Sequence, residues 1–135
     1  MKEQQEKYDE LISMCEKILK LNPVSLKAND LMAYSLYKTD KSETEWKKYQ
    51  NRYRTLRKVI AYSGDGLSCE TAFKVIFVSD EYNMLYTYFD IEKVHKQTLV
   101  GQCDKFEITP SKYFQSNQVF FDISRKLLRT EKLKK

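Results

Sequence analysis

The chain has 135 residues, 41% of them apolar and 13% aromatic. That is one domain's worth of sequence, able to bury a core and too apolar for a disordered or collagen-like protein. No stretch approaches the roughly 18 uninterrupted apolar residues of a membrane span, and the first seven residues lack the apolar run of a secretory signal. The net charge of +5 belongs to the end of the chain: Arg125, Lys126, Arg129, Lys132, Lys134 and Lys135 face only Glu131, and everything before them is balanced.

Tyr8, Leu11, Ile12, Cys15, Ile18 and Leu19 recur at the three-and-four spacing of one helical face, and Pro23 ends the pattern. Leu26, Leu31, Met32 and Leu36, with the small Ala28 and Ala33 between them, predict a second helix ending near Thr39-Asp40-Lys41. A third starts at Ser42, with Glu45 placed for a capping box, and carries Trp46, Tyr49, Tyr53, Leu56 and Ile60 on one face. Short links make these three an antiparallel set. The basic run Lys47, Lys48, Arg52, Arg54, Arg57 and Lys58 reads as a solvated flank of the third helix.

Ser63-Gly64-Asp65-Gly66 holds two of the three glycines and interrupts the helical period. It divides the chain into a helical part, residues 1–62, and an α+β part, residues 63–135, and is expected to be a structural turn acting as a hinge. Ala72 to Val78 is β-branched and aromatic and predicts a strand. Ser79-Asp80-Glu81 then suits a helix N-terminus, with Tyr82, Leu85, Tyr86 and Phe89 on one face. Thr98–Val100, Lys105–Ile108 and Val119–Ile123 predict further strands in a mainly antiparallel sheet, and Ser124 a last helix through Leu127 and Leu128. The expected fold is α+β, with three helices packed against a small sheet that carries one or two further helices.

The stretch Leu21-Asn22-Pro23, Ala28, Met32, Ala33 and Leu36, then Tyr49, resembles a tetratricopeptide helix pair, in which small residues let two helices approach closely. The second half carries Ser63-Gly64-Asp65-Gly66-Leu67-Ser68, Glu70-Thr71-Ala72-Phe73, Val78-Ser79-Asp80-Glu81-Tyr82, Thr98-Leu99-Val100-Gly101, Cys103-Asp104 and Val119-Phe120-Phe121-Asp122-Ile123. These resemble an uncharacterised bacterial family, domain of unknown function 4919, from about Tyr8 to Leu128. The resemblance implies an extracytoplasmic protein of gut-type Bacteroidetes, with no assigned activity and a secretion signal ahead of the first helix. The chain as written starts without one, which leaves a cytoplasmic location as the alternative.

Chemistry has little to build on. Cys15, Cys69 and Cys103 have no metal-ligand spacing, even with the single His95; Cys15 falls on a core stripe, and Cys69 with Cys103 is the pairing to test. No phosphate loop or calcium loop is written around Gly64 and Gly66. His95 with Cys103, Ser68 or Ser79 lacks a nucleophile elbow, so a hydrolase is the weakest reading, and adjacent Asp80 and Glu81 point about 100° apart on a helix and do not form a dyad. No catalytic residue, cofactor or metal is therefore expected. The expected function is a non-enzymatic binding or scaffolding module holding a protein or peptide segment in a groove of Tyr34 and Tyr37, with Lys48 or Arg52 at its edge. The alternative is weak electrostatic binding of nucleic acid or anionic lipid by the two basic runs.

Overall fold

The computed structural model describes residues 2–40 and 42–123. The predicted last helix and the basic end, from Ser124 on, lie outside the described residues. The fold is α+β, and the chain divides into two compact units, residues 1–57 and 58–135.

The first unit is helical. Helix α1 runs Lys2–Leu21, α2 Leu26–Lys38 and α3 Glu43–Ala61, the last crossing the division ahead of the glycine loop. Its apolar centre is Cys15, Met32 and Leu36, with Ile12, Leu19, Leu31, Trp46 and Tyr49 packed against them. Leu19, four residues after Cys15, takes the inward position, whereas Ile18 from the predicted stripe is exposed. The α1–α2 link is tied by polar groups. The Ser25 hydroxyl accepts the Ala28 N–H at 3.1 Å, and the fully buried Asn29 amide donates to the carbonyls of Pro23 (3.1 Å) and Ser25 (2.8 Å). Asp40, at φ 58°, makes the left-handed step after α2 that glycine often makes. The carbonyl of Ser42 accepts from Glu45 and Trp46, which puts Ser42 at the N-cap position expected for α3.

The second unit holds a four-stranded mixed sheet of order β1-β4-β3-β2: β1 Phe73–Lys74, β2 Val94–Val100, β3 Cys103–Ile108 and β4 Gln118–Asp122. β1 runs parallel to β4, and the other neighbours are antiparallel. Helix α4, Val78–Asn83, continues into a π-helical turn at Met84–Tyr88. Phe73, Phe89, Phe106, Phe114 and Phe121 form one network of ring contacts 5.2 to 6.1 Å apart, with Val75, Met84, Leu85 and Val119 buried as well.

Two local expectations are corrected. The predicted strand Ala72–Val78 pairs only at Phe73 and Lys74, with one more bond from the Val75 N–H to the Asp122 carbonyl. The chain then bends at Ile76 and Phe77 because Phe77 must serve as the N-cap of α4. Phe77 has no capping side chain, and the buried Asp80 carboxylate compensates by accepting the Phe77 N–H at 3.3 Å, so Asp80 does the work expected of Ser79.

Among the described residues, no helix is long and apolar enough to cross a membrane, and no group of three His, Cys, Asp or Glu side chains could hold a metal ion.

Candidate functional site

The first unit carries an aromatic groove. Along α2, Asp30, Ala33, Tyr34 and Tyr37 follow each other at steps of three, one and three, which keeps them on one flank of the helix. Trp46 and Gln50 face them from α3 at a spacing of four. Together these six residues line a cavity of about 240 Å³. Ala33 is the small residue that leaves the space: its methyl group is buried, while Tyr34 and Tyr37 remain 50% and 58% exposed.

The rings are held by one another. Tyr37 meets Trp46 edge to face at 5.4 Å, and Tyr34 meets Tyr8 at 5.9 Å in the same manner. Hydrogen bonding to Tyr34, with a smaller contribution from burial, raises the Tyr8 hydroxyl above its ordinary pKa. Lys38 lies over the Tyr34 ring at 5.5 Å. Lys47 lies over Trp46 at 5.7 Å and pairs with the Glu43 carboxylate, whose pKa it lowers. Burial pushes the Asp30 carboxyl above its usual range, and the Arg57 charge opposes that shift.

The structure brings Tyr34 and Tyr37 together in the groove and leaves Lys48 and Arg52 out of its lining. Both cations lie on the Tyr49 ring, at 5.3 and 5.4 Å. At 3.6 residues per turn, Lys48 stands about 200° and Arg52 about 240° round α3 from Trp46, whereas Gln50 is only about 40° away. Asp30, Trp46 and Gln50 were the lining residues missed by sequence reasoning. The Trp46–Gln50 step of four, set against Ala33 across a short link, is the signal that locates them.

Three other features resolve as architecture. In the glycine loop the Asp65 carboxylate accepts the Thr71 hydroxyl at 2.6 Å and the Leu67 N–H at 2.9 Å, which lowers its pKa. The Thr71 carbonyl accepts from both Asp65 and Gly66, the Gly66 carbonyl accepts the Phe120 N–H, and Ser63 bridges Ile60 and Lys74. So many ties make the segment a laced structural turn. His95 is exposed at the edge of the sheet, with its Nε2 2.8 Å from the Thr109 hydroxyl. Cys69 and Cys103 are joined by a disulfide with Cα atoms 5.8 Å apart, and Cys15 is a free, buried thiol whose pKa burial raises.

The family model described as Domain of unknown function (DUF4919) matches residues 1–132, nearly the whole chain, and the chain belongs to that family. No curated protein and no solved structure matches it.

Proposed function

We propose that this member of the family is a non-enzymatic binding module that holds a segment of a partner polypeptide between α2 and α3. One observation carries the reading: two half-exposed tyrosines and a tryptophan share one cavity with a carboxylate and an amide at its wall. Aromatic rings offer large contact area at low conformational cost, and here they are already held in place by edge-to-face contacts. At about 240 Å³ the cavity is smaller than the roughly 300–1,000 Å³ of pockets that engulf a small molecule, and it suits one or two side chains of a chain lying across it. The small, buried Ala28 and Ala33 are the residue type that a tetratricopeptide-like helix pair uses, which supports that reading of the helical part. A disulfide is characteristic of oxidising compartments, which supports an extracytoplasmic location.

The test is a random heptapeptide library panned on the oxidised protein, with enriched peptides measured by calorimetry. Truncating two such anchors is expected to weaken binding by about 30-fold or more. The Tyr34→Ala/Tyr37→Ala variant should show that loss while its melting temperature moves little, both rings being half exposed. An unenriched library, or peptides bound equally by the variant, would refute the proposal.

A further inference from the structure

Among the described residues, the sheet of the second unit ends in an open strand edge. β2 is outermost in the sheet, and its hairpin to β3 turns through Gly101 and Gln102. Gly101 has φ 62°, and Gln102 is not in the positive-φ region, the pattern of a two-residue type II′ turn. The pair flanking such a turn, Val100 and Cys103, exchanges both ladder bonds, so by alternation Val100, Thr98 and Lys96 bond inward to β3. The backbone groups of Leu99 and Gln97 then point away from the sheet, and among the described residues no turn or loop bond reaches them.

Natural sheets blunt such an edge with bulges and charges. Here the irregularity between Val94 and Lys96, and Lys96 itself, protect one end only. From Gln97 to Val100 there is no charge, Leu99 is 65% exposed and Val100 42%. Leu99 shares the face of Asp104, and Gln97 that of Phe106. On that face Tyr82 donates its hydroxyl to Gln97 at 2.7 Å, packs on Phe106 and stacks with Tyr86, which is 46% exposed.

We infer that β2 pairs antiparallel with β2 of a second copy of this chain, Gln97 facing the second copy's Leu99 and Thr98 facing its Thr98. An open edge is complementary only to another extended backbone, and the register follows from which groups are free. Setting Gln97 against Leu99 gives two hydrogen-bonded pairs across the two-fold axis. Centring the pair on Gln97 would instead require His95, which sits in the irregular part of the strand. In the inferred register each Leu99 lands beside the other copy's Gln97 and Tyr82, covering apolar surface that is open in one chain. Lys96 faces Val100 and stands about 14 Å from the other Lys96, four residues away at about 3.4 Å each, beyond the roughly 8 Å over which exposed charges interact at physiological salt.

The test uses the whole oxidised chain. Across the new seam Thr98 occupies a non-hydrogen-bonded pair, whose Cα atoms lie about 4.5 Å apart, within the roughly 4.4–6.8 Å span of a disulfide. Mild oxidation of Thr98→Cys is expected to give a covalent dimer, whereas Lys96→Cys forms no cross-link between the copies. Sedimentation of the unmodified chain should show a concentration-dependent dimer. Leu99→Pro removes an outward N–H and keeps the inward ladder, and is expected to restore the monomer, with the melting curve of the natural chain diluted below its dimer range. Leu99→Lys, which needs no backbone change, gives the same result if the proline variant misfolds. A chain that stays monomeric at its highest soluble concentration overturns the inference. So does a cross-link at Lys96→Cys as fast as at Thr98→Cys, or a dimer that survives both Leu99 substitutions.

Discussion

Replacing the disulfide by Cys69→Ser/Cys103→Ala tests how the second unit is held. The bond joins cysteines 34 positions apart, closing a segment that runs from just after the glycine loop through β1, α4 and β2 to the first residue of β3. Cross-linking a loop of that length removes about 4 kcal/mol of conformational freedom from the unfolded chain at 25 °C. Single domains have only about 5–15 kcal/mol of stability in all, so the loss is a large share of it. For a chain of this size each kcal/mol corresponds to about 3–6 °C, and the variant is expected to melt about 12–24 °C lower than the oxidised protein. Urea unfolding followed by far-ultraviolet circular dichroism measures the free energy, and native-state hydrogen exchange at the Phe120 amide, which donates to Gly66, locates it beside the bond. Reduction of the natural chain should reproduce the variant. A difference below about 1 kcal/mol would refute the reasoning, since it would mean that the unfolded segment is already restrained without the cross-link.

Three further outcomes follow from the same geometry. Gly66 has φ 73°, and a methyl group there would collide with the Phe73 ring, whereas at Gly101, φ 62°, it would meet nothing; chemical denaturation should show Gly66→Ala costing about 3 kcal/mol and Gly101→Ala about 1 kcal/mol. The Asp65 carboxyl titrates below its unfolded value because the Thr71 hydroxyl and the Leu67 N–H bond its charged form, so its contribution is present above pH about 4 and is lost as pH falls through the lower folded pKa. Urea midpoints between pH 3 and 6 should therefore fall less steeply in Asp65→Asn than in the natural chain. Cys15 is buried, so the oxidised protein should show no reactive thiol until it is unfolded and one per chain afterwards, read by a colorimetric thiol reagent; two more on unfolding would contradict the disulfide.

What could be read from the sequence divides along physical lines. Periodicity located α1, α2 and α3, because an amphipathic face is written in the spacing of a few apolar residues, and the β-forming runs before Gly101, before Pro110 and through Phe121 all proved to be strands. Composition misled where one segment had to change direction. Phe73 to Val78 is rich in β-formers, yet only two residues find a partner strand, since the chain must turn at Phe77 to start α4, and that requirement comes from the Asp80 carboxylate three residues on. The groove was half legible for a related reason. Tyr34 and Tyr37 stand off the apolar stripe of α2, and this showed that they were available. Their partners depend on the rotation of α3 about its own axis, which a basic run does not reveal: Lys48 and Arg52 clasp Tyr49, while Trp46, assigned to the core, both packs on it and walls the groove. An aromatic residue beside an alanine on the facing helix has that double character, because the missing side chain opens one side of a ring whose other side is buried. A site of this kind is defined by what Ala33 leaves empty, and substituting Ala33→Leu should fill the groove and block peptide binding while Tyr34 and Tyr37 remain in place.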